Sequence, residues 1–231
     1  MRGLAGNLSD LTVASSQYDI LFCSETLVSD MRHLSELLIP GFGRNVLLCW
    51  GKKPLARGME AYVLDGYGAF RQPKFKCGCC EMLAFRVCGA RQNLYVYGLY
   101  GNRDLDDRIF DCLLASMAAV QAEDVHASFL FVGDLNDHHQ ERLGSTITNR
   151  HGVAAFDFAT VFGCDQLVIG PTHARGGTLD LLMTRSSVCV PSISLGMIIN
   201  AGMLLASSRR FIFDGPVIAL GLTGKSLSAV K

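Results

Sequence analysis

Four apolar residues in a row, Phe129-Leu130-Phe131-Val132, followed at once by Gly133, restrict most tightly how this chain can fold. The run is long enough for one buried strand and too short for a helix. A polar cluster comes directly after the glycine: Asp134, Asn136, Asp137, His138 and His139. Two readings are open for it. Loops are rich in Gly, Asp and Asn, so a plain strand followed by a turn explains the segment. A buried strand that delivers a carboxylate and an amide at its end is also a common way to build a site at the edge of a sheet. The rest of the chain has to decide between them.

With 231 residues, 49% hydrophobic and 18% charged, the chain is globular in composition and can bury a full core. Its formal net charge is zero, which provides no global attraction to nucleic acid, so a phosphate-binding face has to come from a local cluster. Nine cysteines is an odd number, and residues 1–7 contain no apolar signal-peptide core, so reduced thiols in an intracellular setting, nucleus or cytoplasm, are expected. Cys77, Cys79, Cys80 and Cys88 lie close enough in the chain to suggest zinc. Their spacing lacks the two-residue gap of a zinc knuckle and no histidine stands nearby, so a turn with buried thiols is the simpler reading.

Along the chain, Leu4, Leu8 and Leu11 give residues 4–15 a short amphipathic helical pattern. Residues 18–23 read as a buried strand that runs into Ser24-Glu25-Thr26. Residues 34–39 read as a helical turn stopped by Pro40-Gly41. Strands are expected over 46–50, 60–64, 81–87 and 93–100, separated by turns containing Gly, Pro and basic residues. Asp104 can cap a helix over 105–121, with Asp106 and Asp107 in the first turn and Ile109, Leu113, Met117 and Val120 on one face. Asn149 can cap a second helix over 153–162, with Val153, Phe156 and Thr160 on one side. Residues 178–183 are a further strand candidate. Hairpin-like strands with intervening helices predict an α/β fold, a mixed-sheet sandwich flanked by helices, and the absence of a linker makes one domain the economical reading.

The tail differs. Residues 186–208 carry no charge, a length sufficient to cross a bilayer, and the stretch from Ile193 to Ala206 within them is almost wholly apolar or small. Pro191, Asn200 and interspersed serines argue instead for a buried strand or helix, so a membrane partner is not expected.

Several strand ends share one habit. Glu25 follows one expected strand, Tyr100 ends another, Asp134 and Asn136 follow a third, and Asp180 lies within a fourth. Separated carboxylates that converge on one cleft can hold a hard divalent ion, because Mg2+ takes one or two carboxylates together with waters and phosphate oxygens. An Asp beside such an ion can orient or deprotonate a water, and an Asn can donate to a phosphate oxygen without adding repulsive charge. Each residue also has an ordinary reading: Tyr100 as a strand aromatic with its hydroxyl at the surface, Asp180 as a hydrogen-bonding residue at a strand end.

The order of these segments resembles a known family. Residues 18–26 (Tyr-Asp-Ile-Leu-Phe-Cys-Ser-Glu-Thr), Ile39-Pro40-Gly41-Phe42, Tyr97-Gly98-Leu99-Tyr100, Gly133-Asp134-Leu135-Asn136, Pro171-Thr172-His173 and Gly177-Thr178-Leu179-Asp180-Leu181 follow one another as in the endonuclease/exonuclease/phosphatase family. Within it they are most similar to the endonuclease domain of non-LTR retrotransposons, across residues 2–184. The resemblance implies a four-layer α/β sandwich that cuts phosphodiester bonds of DNA with Mg2+. It implies Glu25 as metal ligand, Tyr100 as a phosphate contact, Asp134 as the residue that orients or activates water, and Asn136 as a phosphate binder. Asp180 is implied to orient a catalytic histidine, with Thr172 and His173 in the substrate-facing wall of the cleft. His138 and His139 have no role in that pattern and read as solvent-facing loop residues. No stable protein partner is inferable.

The chain also departs from the pattern. The family's closing Ser-Asp-His, which supplies a metal-holding Asp and a phosphate-contacting His, does not occur: the last histidine is His173, and Asp214 is the only acidic residue after Asp180. An Asn expected just before Arg2-Gly3-Leu4 is also lacking, so the first strand is expected to be missing and the C-terminal part, residues 185–231, to be a divergent apolar segment that completes the sheet. The expectation is therefore an endonuclease domain of retrotransposon origin with impaired activity; the alternative is a non-catalytic relic that binds nothing specific.

Overall fold

A computed structural model of the chain describes residues 12, 20–24, 26, 38–47, 58–75, 81–89, 92–101, 108–135, 139–140, 147–167, 180–185, 195–198 and 203–206. Within these residues a six-stranded mixed sheet faces a three-stranded antiparallel one, and two helices cover the outer side of the larger.

The larger sheet is built from β4 (Ala69–Arg71), β5 (Glu81–Cys88), β6 (Asn93–Tyr100), β7 (Ser128–Asp134), β8 (Asp165–Gln166) and β9 (Asp180–Arg185), in the order β4-β5-β6-β7-β9-β8. Only β6 and β7 run parallel; every other neighbouring pair in it is antiparallel. The smaller sheet holds β1 (Ile20–Ser24), β2 (Phe42–Leu47) and β3 (Met59–Leu64), antiparallel in the order β1-β3-β2. The apolar tail forms a hairpin of β10 (Leu195–Ile198) and β11 (Met203–Ala206) and not one long helix. No helix among the described residues is long and apolar enough to cross a membrane.

Strand alternation assigns each face. Ile20, Phe22, Met59, Ala61 and Val63 from the smaller sheet meet Leu83, Phe85, Val87, Val96, Leu130, Val132 and Leu182 from the larger one in the core between the sheets. The other face of the larger sheet packs on the helices. There α1 (Arg108–Glu123) buries Ile109, Leu113, Met117 and Val120, the stripe read from the sequence. Tyr97 and Phe131 stack with ring centroids 5.4 Å apart, and Phe158 meets Phe131 edge-on at 5.3 Å and 89°. The buried Tyr97 hydroxyl is satisfied by Ser116 Oγ at 3.1 Å. Desolvation, against the lowering effect of that bond, pushes the Tyr97 phenol up to about 12, so it stays protonated.

Three expectations shift. The strand expected over 46–50 begins at Phe42, because the whole of β3 is paired, from Leu64 with Phe42 to Met59 with Leu47. Polar Arg44 and Asn45 hid it, being tolerated on an edge strand where an apolar alternation is weak. The second helix, α2 (Arg150–Val161), starts directly after Asn149, whose side chain accepts from the Gly152 N–H at 2.7 Å. Its buried face is Gly152, Ala155, Phe158 and Ala159, with Val153 and Thr160 exposed. Small residues on that face let the helix approach the sheet closely while Phe158 fills the gap beside Phe131. The strand expected over 178–183 runs from Asp180 to Arg185. The helical patterns at residues 4–15 and 34–39, and Asp104, Asp106 and Asp107, fall outside the described residues, Thr12, Leu38 and Ile39 apart.

Cys23, Cys88, Cys112 and Cys164 are free thiols. Cys23 is fully buried, and desolvation together with the Glu60 carboxylate raises its pKa far above the ordinary thiol range, so it is an inert core residue. Burial, offset in part by Arg185, pushes the Cys164 thiol up to about 11. Cys77, Cys79 and Cys80 lie outside the described residues.

Contact between the sheets depends on a missing side chain. A Cβ built on Gly98 of β6 would lie 2.1 Å from the Phe22 ring of β1. Gly98→Ala is expected to destabilise the fold by about 1–3 kcal/mol through overpacking. Adding Phe22→Leu should recover part of that loss in urea unfolding, whereas strictly additive losses would show that the two sites do not touch.

Candidate functional site

Local chain direction sets the position of the candidate residues. The connection from β6 to β7 passes through α1, and such a crossover makes the two strands parallel. Their C-terminal ends therefore finish side by side. The antiparallel neighbours β5 and β9 must then begin at that same end. The register makes this concrete across four adjacent strands: Glu81 pairs with Tyr100, Tyr100 with Asp134, and Asp134 with Asp180.

Glu81, Tyr100 and Asp134 also share the face of the sheet that looks toward the smaller one. Glu81 alternates in phase with Leu83 and Phe85, Tyr100 with Val96, and Asp134 with Leu130 and Val132, all in the core between the sheets. Tyr100 itself belongs to that core and is 9% exposed. Its ring is thus held within the sandwich, not laid out on the surface. Asp134 is half-buried, which combines restraint by the strand with access to solvent. Asp180 is placed by its backbone, at the register position opposite Asp134; directly opposed residues on antiparallel strands have Cα atoms about 4.5–5.5 Å apart.

Gly133 makes the end of β7 possible. It has φ 154°, and a Cβ there would sit 1.7 Å from the Leu99 carbonyl oxygen of the neighbouring strand. One residue later, the Gly101 N–H donates to the Asp134 carbonyl at 2.9 Å and closes the parallel pair at its rim. The glycine that interrupts the apolar run is thus a steric requirement for Asp134 to sit beside Tyr100.

The smaller sheet ends at the same place. Ser24 closes β1 and pairs with Met59, the first residue of β3. The Thr26 N–H donates to the Gly58 carbonyl at 3.2 Å, and the Gly58 N–H donates to Glu81 Oε2 at 2.9 Å. The first extends the pairing of β1 with β3, and the second joins the rim of the smaller sheet to that of the larger. Thr26 is 3% exposed, and among the described residues its Oγ1 has no hydrogen-bond partner. A buried hydroxyl without a partner calls for an occupant of the space beside it.

Glu25, Asn136, Thr172 and His173 lie outside the described residues, as does His138. His139 is described and is not a solvent-facing loop residue: it is half-buried and stacks on Phe156 of α2, 4.8 Å between centroids and 13° between planes. That contact takes up the helix face which the sequence pattern assigned to the core. Glu81 was missed by sequence reasoning, which treated it as the start of a strand. The available signal was positional: strands expected over 81–87 and 93–100, joined by a short connection, place the start of the first beside the end of the second, and the structure pairs Glu81 with Tyr100.

The described rim residues, Thr26, Glu81, Tyr100 and Asp134, present hydroxyl, phenol and carboxylate oxygens and neither thiol nor imidazole. Oxygen donors of this kind suit a hard cation such as Mg2+ and not a soft one. No three His, Cys, Asp or Glu side chains gather into a metal-holding group among the described residues. A Mg2+ site of one or two carboxylates completed by waters and phosphate does not require such a group.

No protein-family model matches the sequence, and no curated protein matches it. Solved structures do. The endonuclease domain of TRAS1, a telomere-specific non-LTR retrotransposon, is similar with a TM-score of 0.58 at 13% identity, over 79% of this chain and 79% of that one. The Xenopus laevis APE2 catalytic domain has a TM-score of 0.53 at 13% identity over 79% and 78%. D. rerio TDP2, complexed with single-strand DNA product, has a TM-score of 0.52 at 10% identity over 94% and 89%. Identities this low report the fold and not the activity.

Replacing Gly133 tests whether the rim depends on it. Gly133→Ala is expected to disturb β7 at Asp134 and to lower the thermal midpoint by several degrees, since the clash is with backbone that cannot step aside. A circular-dichroism melt indistinguishable from that of the wild type would show that β7 tolerates a Cβ there.

Proposed function

We propose that this chain, which has the endonuclease/exonuclease/phosphatase-type fold of those structures, is a Mg2+-dependent phosphodiester hydrolase acting on DNA, of retrotransposon origin and with reduced activity. The observation that supports this reading best is the row of Tyr100, Asp134 and Asp180 on three adjacent strands, at the rim where the smaller sheet also ends.

In this reading Glu25, directly after Ser24, holds the cation. When bound, the cation supplies positive charge to neutralise a phosphodiester and its departing oxygen. The Tyr100 hydroxyl donates to a non-bridging phosphate oxygen, and the surrounding core keeps the ring from swinging away. The Asp134 carboxylate accepts a proton from the attacking water and orients its lone pair toward phosphorus. The Asn136 amide donates to the phosphate without adding negative charge, and Thr172 and His173 line the wall that the substrate faces. Asp180 orients a neighbouring group. Single-stranded or duplex DNA is the polymer favoured, on the precedent of the similar structures solved as an endonuclease domain and with a single-strand DNA product.

Reduced activity follows from chemistry that residues 181–231 do not supply. They contain no histidine, and Asp214 is their only acidic residue. A stabilising group aimed at the transition state is worth about two to three orders of magnitude in rate, and residues acting as a unit are not additive. The tail's part is structural: β1 is an edge strand in the smaller sheet yet is buried throughout, and β11 backbone comes within 8 Å of it. A non-catalytic relic is the competing reading, favoured by the same lack of a Ser-Asp-His.

Nicking of supercoiled plasmid separates the two. The wild-type chain is expected to nick slowly with Mg2+, to stop when EDTA removes it, and to lose about 10²–10³-fold with Asp134→Ala. Equal trace nicking by the wild type and the variant would sink the hydrolase reading, and a calorimetric Mg2+ titration with no heat above buffer would favour the relic.

A further inference from the structure

The site as drawn from sequence has residues on both sheets, and nothing in the covalent chain fixes how far apart those sheets stand at their open end. Packing between the sheets holds their middles. At the rim a different tie is present. Glu81 Oε2 accepts from the Gly58 N–H at 2.9 Å, and Gly58 passes the connection on through its carbonyl to the Thr26 N–H at 3.2 Å. Glu81 stands at the first position of β5, opposite Tyr100, while Thr26 directly follows Glu25.

We propose that Glu81 is a positioning residue of this site: its carboxylate clasps the rim of the smaller sheet, through Gly58 and Thr26, to the rim that carries Tyr100 and Asp134. The proposal rests on the hydrolase reading for its purpose, because spacing across the cleft matters only if both rims serve one substrate. The clasp itself rests on the two hydrogen bonds and the register.

Three features favour this role over an ordinary strand-end contact. The bond bridges two sheets and 23 residues of sequence, so it does not serve to cap its own strand. Its acceptor is a carboxylate and its donor a buried backbone N–H; a bond between such groups is short and about twice as strong as one between neutral partners. The relay also ends at Thr26, whose buried hydroxyl has no partner among the described residues, so the clasp fixes the segment that directly follows Glu25. Glu81 acts through Gly58 and is not assigned contact with substrate or metal.

Two variants and two readouts test it. Glu81→Gln keeps a carbonyl oxygen able to accept from Gly58, and Glu81→Ala removes every acceptor. Amide hydrogen exchange on the full chain reports the clasp without any metal. Glu81→Ala is expected to speed exchange at Gly58 and Thr26 by about tenfold, the equivalent of one charge-assisted bond, while Glu81→Gln stays within about threefold of the wild type. Calorimetric titration with Mg2+ reports the consequence for the site: binding weakens by about tenfold in Glu81→Ala and is largely restored in Glu81→Gln. Unchanged protection of Gly58 and Thr26 in Glu81→Ala would overturn the clasp. Equal loss of Mg2+ affinity in both variants would also overturn it, because the charge and not the tether would then matter. A wild-type chain that binds no Mg2+ and nicks no DNA, but shows the exchange pattern, would remove the hydrolase reading and leave the clasp standing.

Discussion

The parallel pairing of β6 with β7 is the constraint on which the rest of the structure depends. Parallel neighbours need a long crossover, and α1 supplies it by burying Ile109, Leu113, Met117 and Val120 against the sheet. Two strand ends then have to finish together, and their antiparallel partners have to start beside them. Tyr100, Asp134, Asp180 and Glu81 share one rim for that reason alone. Reversing β6 relative to β7 would place Tyr100 and Asp134 a full strand length apart, about 20 Å for strands of this size.

Close approach is the second requirement, and glycine meets it twice. Gly98 lets the Phe22 ring lie against β6, which brings the smaller sheet near enough for its rim to face the larger one. Gly133 lets β7 pass the Leu99 carbonyl and still present Asp134. In both cases the neighbour is a rigid group, an aromatic ring packed in the core or a backbone carbonyl, so no rotamer change can make room for a Cβ. The hydrogen bonds from Thr26 to Gly58 and from Gly58 to Glu81 then close the gap where packing runs out.

Much of the fold was legible in the chain because it follows from local pattern. The run from Phe129 to Val132, the stripe on α1 and the cap at Asn149 all rest on short-range periodicity or on a side chain bonding its own backbone, and each is found in place. The misreadings share a different cause. β2 starts early because pairing with β3, and not its own apolar content, defines it. Val153 and Phe156 look like a buried face, yet α2 turns Ala155, Phe158 and Ala159 inward, where small side chains permit contact with the sheet and Phe158 fits beside Phe131. His139 reads as solvent-facing from the sequence because its ring partner, Phe156, is distant along the chain.

For the candidate site the division is sharper. Sequence alone determined that Tyr100 and Asp134 end buried strands and that a glycine precedes the aspartate, since apolar runs and their interruptions are local properties. It also determined that residues 181–231 offer no histidine and a single acidic side chain. Only the tertiary structure decided that Tyr100 and Asp134 are neighbours on one face, that the smaller sheet finishes at the same rim, and that Glu81 ties the two together. Register and strand direction are set by pairing across dozens of residues, and no window of sequence short enough to read by period contains both partners.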